Sequence, residues 1–438
     1  MSFSRTPLRH LLLVFVFLCL GACGSLSADE HVARAKNYVS DNDHRAAIIE
    51  LKNALQQDGE NAEARLLLGE IHFLFGEYAD ALKEFERSQE LGETKPAVEL
   101  GIMRSRVQLG EAAKVIEDLA DRAPRSDDLS LVLADAYLAT GDVATAVDMY
   151  QKYQPSVVSS IGLGNVAWQN NDLEAASKHF ETALDQQPLD REAWLRKGEV
   201  ELQRGEHEAA ERAFQKARDL PGGVITGRVG LIRVQLFRED VAAAKVQIDE
   251  LLSLAPELPI AHYFNSLVAY QNQDLSTAEN SLREVLARAP TFGPALYLMG
   301  SVKYQQKQLA QAEDSLSRFL VLQPDNASAR KLLATTRSDQ GDFGGALEAL
   351  APILATSEDP QVHALAGSMY MRNGQPTDAA ISLQRAAELA PDNAAFRNQL
   401  ALGLIASGDE GGARRELDSA IALDGEQFQS EYLKAMLS

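Results

Sequence analysis

Cysteine is almost missing from this chain: its 438 residues contain two, Cys19 and Cys23. Cys19 lies in a segment with the marks of a removable leader, so an exported chain has no second thiol with which to build a disulfide framework. Stability must then come from packing alone. Catalytic sets are missing as well. There is no Gly-rich phosphate loop, no GxSxG elbow, no HExxH and no cysteine cluster. His31, His44, His72, His179, His207, His262 and His363 are dispersed, without ligand spacing. The carboxylates stand mostly at i, i+4 from lysine or arginine, which is ordinary helix support. These absences read as a non-enzyme with no catalytic residues, no metal site and no cofactor.

Positive charge is scarce. Lys and Arg number 42 against 63 Asp and Glu, a net charge of -21. Arg5 and Arg9 are the only charges before Cys23, so the rest of the chain holds 40 basic against 63 acidic residues, or -23. Such a surface repels phosphate backbones and anionic headgroups, which excludes nucleic acid as the expected partner. Strand-like alternation is also absent, and helical periodicity runs from about Glu30 to the end.

The first residues differ in composition. Arg5 and Arg9 precede an unbroken apolar run, Leu11 to Leu20, which is too short to span a bilayer but suits a secretory signal core. Leu20-Gly21-Ala22-Cys23 closes it. This order resembles a bacterial lipobox, and the plainer alternative is an ordinary signal peptide with a chance cysteine. The resemblance implies a signal peptide over 1–22, cleavage and diacylation at Cys23, and a lipidated tether over 23–28. More than one acyl chain gives lasting membrane attachment. Gly24, standing where Asp would mark inner-membrane retention, resembles the outer-membrane default. The expectation is a lipid-anchored outer-membrane protein facing the periplasm of a Gram-negative bacterium.

The segment 259–326 is the ruler for the remainder. Two stretches of 34 residues match position by position: Tyr263 recurs as Tyr297, Tyr270 as Tyr304, Ala278 as Ala312, Leu282 as Leu316 and Pro290 as Pro324. A small residue marks the same register at Ala47, Ala81, Ala112, Ala146, Ala176, Ala210, Ala244, Ala278, Ala312, Ala346, Ala379 and Ala413. Most intervals are 34 residues, and those ending at Ala112, Ala176 and Ala379 are shorter. A large apolar residue follows each alanine at +4, giving a buried stripe on one helical face. Gly-Asp or Gly-Glu turns at 76, 141, 205, 341 and 408 separate the helices of a pair, and Pro124, Pro188, Pro256, Pro290, Pro324 and Pro391 close successive pairs.

These features resemble the tetratricopeptide repeat family from about Ala28 to the C-terminus. The best single units are Glu192 to Gly222, with Trp194, Gly198, Ala210, Phe214 and Ala217, and Pro360 to Pro391, with Gly367, Tyr370, Gly374 and Ala379. The resemblance implies an all-α, right-handed α-solenoid superhelix of about twelve helix pairs over 29–425. A C-terminal helix over 426–438 would be a cap or the first helix of an unfinished thirteenth unit. Two units depart from the pattern. Gly110 is followed almost at once by Ala112, which predicts a shortened turn, and Pro155 predicts a shortened second helix after Tyr150. A hinge is expected between Glu93 and Val157.

The resemblance also implies that first helices line a concave, ligand-binding groove. The carboxylate clamp used by some members is missing, since Leu66 and Glu70, Leu195 and Glu199, or Tyr263 and Leu267 stand at its positions. The candidate groove residues are Tyr263, Tyr270, Gln271, Tyr297, Tyr304 and Gln305, with Gln306 beside them. Tyrosine with glutamine suits stacking and hydrogen bonding to an extended uncharged or sugar-like chain. The alternative is that these tyrosines pack between neighbouring units.

Residues 45–55 (Arg-Ala-Ala-Ile-Ile-Glu-Leu-Lys-Asn-Ala-Leu) and 61–69 (Asn-Ala-Glu-Ala-Arg-Leu-Leu-Leu-Gly) resemble the repeat lipoproteins of exosortase/PEP-CTERM protein sorting and exopolysaccharide export. That implies a periplasmic scaffold whose partners are envelope proteins of a secretion or sorting machinery, with polysaccharide as a second candidate and the membrane held through the N-terminal lipid. Two other readings stay open: a pilotin-like or barrel-assembly lipoprotein, and a regulator of a peptidoglycan enzyme.

Overall fold

A computed structural model describes residues 26–41, 43–120, 126–423, 431, 432, 434 and 435. Among them are 24 α-helices and no strand. In pairs they are α1 (Ala28–Ser40) and α2 (His44–Gln57), α3 (Ala62–Leu74) and α4 (Tyr78–Glu90), α5 (Pro96–Gln108) and α6 (Ala112–Ala120), α7 (Asp127–Ala139) and α8 (Val143–Lys152). Then follow α9 (Val157–Gln169) and α10 (Leu173–Gln186), α11 (Arg191–Gln203) and α12 (His207–Asp219), α13 (Val224–Phe237) and α14 (Val241–Leu254). The last are α15 (Pro259–Gln271) and α16 (Leu275–Arg288), α17 (Gly293–Gln305) and α18 (Leu309–Leu322), α19 (Ala327–Asp339) and α20 (Phe343–Leu354), α21 (Pro360–Arg372) and α22 (Pro376–Leu389), α23 (Ala394–Ser407) and α24 (Glu410–Leu423). Twelve solenoid pairs were expected, and twelve are present. No described helix is long and apolar enough to cross a membrane.

The chain forms two compact units, one ending at Ala244 and the other beginning at Lys245, with the division inside α14. Within each unit, packing runs from one helix to the next. The register alanines explain why. Eleven are fully buried and Ala112 is 4% exposed. No side chain larger than a methyl fits there, so the two helices of a pair approach closely.

The residue four places on then fills the space between its own first helix and that of the following pair. Phe214 lies against Gly198 of α11 and Gly230 of α13, and a Cβ on those glycines would come within 2.7 and 2.2 Å of its ring. Phe85 sits in the same way between Gly69 and Gly101, and Leu383 between Gly367 and Gly403. Phe214 is fully buried and Phe85 is 2% exposed. Each is a core residue shared by two pairs, so no pair completes its core alone.

Turns follow the predicted chemistry with one extension. Gly76 and Gly341 adopt φ of 76° and 85°, the left-handed conformation that ends the first helix. Asn171, Glu239, Gln273 and Lys307 hold the same conformation with φ of 58° to 61°, a strain that the surrounding packing imposes. Proline carbonyls at the ends of second helices also act as acceptors. Trp194 donates to Pro188 at 2.9 Å, Arg330 to Pro324 at 2.5 Å and Arg397 to Pro391 at 3.0 Å. Pro124 lies outside the described residues.

The irregular units need one correction. Leu109, Gly110 and Glu111 form a turn of the usual length, and the second helix, α6, begins at Ala112 itself, without the three residues that precede the register alanine in the other pairs. The small residue can open the helix because it still lands in the buried register. After Tyr150, α8 ends at Lys152 with ten residues, as Pro155 predicts. Within the segment 93–157, where a hinge was expected, Val98, Ile102, Val115, Leu129 and Val132 share one core cluster. Of the predicted final helix, Glu431, Tyr432, Lys434 and Ala435 are helical, and Lys434 pairs with Asp418.

Ala278→Leu would drive three further heavy atoms into a fully closed space, and is expected to cost about 1–3 kcal/mol by denaturant unfolding. An unchanged unfolding midpoint would refute the register.

Candidate functional site

In the second unit the predicted tyrosines divide into two kinds. Tyr263 on α15 packs edge-on against Phe292, with ring centres 5.2 Å apart, and Tyr297 on α17 lies 5.4 Å from Phe319. Both rings are half-buried against core clusters. Burial raises the Tyr263 hydroxyl above its ordinary pKa. Tyr270 and Tyr304 sit one residue from the ends of the same helices and reach the next pair. The Gln305 amide donates to the Tyr270 hydroxyl at 2.6 Å, and the Tyr304 hydroxyl donates to Asp339 at 2.9 Å. Each bond joins residues 35 apart.

The first unit contains the same bond, with the Trp168 indole donating to Gln203 at 2.6 Å across the same separation. These are rungs between successive first helices. The structure thus brings Tyr270 and Gln305 together, commits Tyr304 to Asp339, and sinks Tyr263 and Tyr297 into the packing. Gln271 is exposed at the end of α15. Beyond the tyrosines, Lys331 on α19 pairs with Asp359 at 2.6 Å. Gln306 turns away to Glu279, which also holds the buried Lys303 at 2.6 Å.

The first unit presents different chemistry on its first helices. The position eleven before each register alanine holds Lys36, Glu70, Gly101, Asp135, Asn165, Glu199 and Arg233 there, but Leu267, Ser301, Thr335, Ser368 and Leu402 in the second unit. Arg233 pairs with Glu199 between neighbouring first helices. Lys36 and Lys95 share Glu63, at 3.0 and 2.8 Å. Burial raises the pKa of Glu70, and Lys95 opposes it. Asn165 has a buried Oδ1 without a partner.

Asp135 accepts a hydrogen bond from the Tyr150 hydroxyl at 2.5 Å. Burial pushes its carboxyl up to about 6, against the pull of Tyr150, Arg104 and Arg196. Sequence reading missed this column because its members lie one per repeat, are of mixed sign and are interrupted by the uncharged Gly101 and Asn165. Reading one position per period would have found it.

One further group escaped the spacing test. His72, Glu77 and Asp80 each offer a ligand atom within 4.8 Å of the others, because the turn after α3 folds Glu77 back onto His72. One imidazole and two carboxylates could hold a divalent cation. The His72–Glu77 hydrogen bond of 2.5 Å already satisfies two of the three and lowers the pKa of Glu77.

Two predictions follow from the rungs and the column. Removing the Tyr270 and Tyr304 hydroxyls by Tyr→Phe should cost about 1 kcal/mol each while leaving the rings packed, measured by denaturant unfolding. Asp135 keeps its proton more tightly when folded, so its stabilising contribution is present at pH 4 and is lost as pH rises through about 6. Asp135→Asn stays neutral and still accepts from Tyr150. It should be more stable than the parent at pH 7.5 by on the order of 1–3 kcal/mol, with the gain vanishing near pH 4. A pH-independent difference would refute the assignment.

Comparison with known proteins agrees with this geometry. A family model described as Tetratricopeptide repeat matches residues 32–96, 108–157, 161–224, 331–394 and 364–430. A second, the Tetratricopeptide repeat protein 21 second ARM domain, matches 244–341. The TPR repeat-containing protein PA4299 of Pseudomonas aeruginosa is 38% identical over 71 residues, which is 16% of this chain and only 29% of that relative's length. Among solved structures, the Cut9–Hcn1 hetero-tetramer of the APC/C is similar with TM-score 0.43 and 12% identity, over 94% of this chain and 96% of that one. YrrB, a TPR protein with an unusual peptide-binding site, gives TM-score 0.39 and 16% identity over 43% of this chain and 97% of its own. A tetratricopeptide repeat protein from Parabacteroides merdae gives 0.40 and 16% over 57% and 98%. With its register, turns and shared core residues all repeating together, the chain belongs to the tetratricopeptide repeat family.

Proposed function

We propose that this protein is a lipid-anchored scaffold of the bacterial outer membrane, facing the periplasm, that assembles envelope proteins of an exopolysaccharide-export and PEP-CTERM sorting machinery. Its work is binding, not catalysis. The observation that carries the binding role is the pair of unlike first-helix faces. One is a largely charged column from Lys36 to Arg233, interrupted by Gly101 and Asn165, and the other presents Tyr270 with Gln305, over the packed rings of Tyr263 and Tyr297 and beside the Tyr304–Asp339 bond. A repeat array with two such faces can hold two partners of different chemistry on one chain.

The anchor is proposed from sequence alone, from the order Arg5, Arg9, Leu11 to Leu20 and Cys23, which lies outside the described residues. The pathway rests on the resemblance of residues 45–55 and 61–69. Polysaccharide is the second candidate ligand for the tyrosine strip, where Gln271 and Gln305 stand exposed beside the rings. Cross-linking in intact cells, followed by identification of what is attached, tests the reading. Sorting or polysaccharide-export proteins should be recovered with the parent, and Cys23→Ser should release the chain from the membrane fraction. Recovery of pilus or barrel-assembly components alone would overturn the pathway.

A further inference from the structure

The second helix pair departs from a rule that its neighbours follow. Four residues before the register alanine, most within-pair turns place an aspartate. Its carboxylate caps the coming helix: Asp142, Asp172, Asp274 and Asp409 each accept from the backbone N–H three residues on, at 2.8 to 3.1 Å. In the second pair that position holds Glu77, one methylene longer, and its side chain caps nothing. The carboxylate turns back instead to the imidazole of His72, five residues earlier in the last turn of α3. Losing a cap weakens a helix start, and a local rule broken without a gain in packing points to a site.

Asp80 completes the group. It is exposed in the first turn of α4, directly before the register residue Ala81. One ligand atom from each of His72, Glu77 and Asp80 lies within 4.8 Å of the other two. The combination occurs in this pair alone, because no other pair has a histidine nine residues before its register alanine. Glu206 of the sixth pair also leaves its helix without a side-chain cap. There, however, Glu201 stands in the place of His72 and Ala209 in the place of Asp80.

The donor set selects the ion. Magnesium and calcium take oxygen ligands in sets of six or more, whereas an imidazole nitrogen with carboxylates suits zinc. Bonds of about 2.0–2.2 Å to one zinc ion put tetrahedral ligands roughly 3.4 Å apart. Small rotations of the two exposed carboxylates reach that spacing, and water fills the fourth place. The ion takes the position of the hydrogen between His72 Nδ1 and Glu77, and the imidazole keeps its other proton on Nε2. The hydrogen bond with His72 holds the Glu77 carboxyl below its ordinary pKa against the effect of burial, and the charge of Lys52 on α2 adds to it. Lys52 also opposes a bound cation, so the affinity is moderate.

We propose that His72, Glu77 and Asp80 bind one zinc ion, which clasps the end of α3 to the start of α4 across the turn at Gly76. The site goes beyond the scaffold reading and does not depend on which pathway the protein serves. Its three ligands come from the last turn of one helix, the connecting turn and the first turn of the next. A bound ion therefore ties the two helices of the second pair at the edge where the turn lies, and stabilises the folded pair by mass action.

Calorimetric titration of zinc chloride into the full-length chain, first stripped of metal with a chelator, tests this. The parent should show a micromolar site that millimolar magnesium chloride does not displace. His72→Ala and Asp80→Asn should each weaken it by more than about tenfold, the loss typical of removing even an outer partner of a metal ligand. Asp80 is exposed and the change to Asn keeps its shape, so this variant decides the matter if His72→Ala fails to fold. Bound zinc should also slow hydrogen exchange over the end of α3 and the start of α4 in the parent, but not in Asp80→Asn. Absence of zinc binding, equal affinity in the parent and Asp80→Asn, displacement by magnesium, or zinc uptake without slowed exchange at that turn overturns the proposal.

Discussion

Close approach of two helices over a side chain no larger than a methyl is the constraint on which this protein depends. Ala278, Ala312 and their counterparts are fully buried, and each allows a second helix to lie directly on its first. The next large residue, such as Phe214 or Phe85, then projects past its own pair into the glycine notch of the following one. A pair on its own would leave that ring half in water, at a cost of roughly 1.5–3 kcal/mol for such a side chain. Stacking is therefore obligatory, and the chain is long because its core is linear.

Polar groups repeat with the same period and fix the rotation between neighbours. Arg65 bonds Glu84 at 2.7 Å and Arg397 bonds Glu416 at 2.9 Å, each pair 19 residues apart and each joining a first helix to its second. Glu313 receives Arg337 at 2.8 Å, joining a second helix to the next first. The 35-residue rungs of Trp168, Tyr270 and Tyr304 join first helix to first helix. Singly, a partly exposed pair contributes little. Set at several steps, such bonds favour one stacking geometry among several that apolar packing alone would tolerate.

The first unit shows what happens when that period is disturbed. Its second helix α6 starts three residues late in the period, and α8 has ten residues where thirteen or fourteen are usual. They lie between the two parts of the unit that meet where Leu74 of α3 approaches Gly222 in the turn after α12. Burial pushes the carboxyl of Asp135 up to about 6 although Tyr150, Arg104 and Arg196 all favour the charged form. Desolvation there outweighs three favourable partners.

Much of this was legible in the residue order, because helical period, small-residue register and turn chemistry are local properties. The 34-residue recurrence, the twelve pairs and the left-handed turn at Gly76 follow from spacing and steric rules that act over a few residues. Four left-handed turns at Asn171, Glu239, Gln273 and Lys307 were not legible, since packing there overrides local preference. The tyrosines were legible as a cluster but not in their roles. Tyr263 and Tyr297 have the same position in the period as Leu66 and Leu195, and only the neighbouring Phe292 and Phe319 make them packing residues. The sequence by itself determined the repeating unit, because everything that forms a pair lies within one period. Tertiary structure alone decided which distant edges meet and which acids lose their water, because Leu74, Asp135, Arg191 and Gly222 are joined only by small rotations accumulated over several pairs.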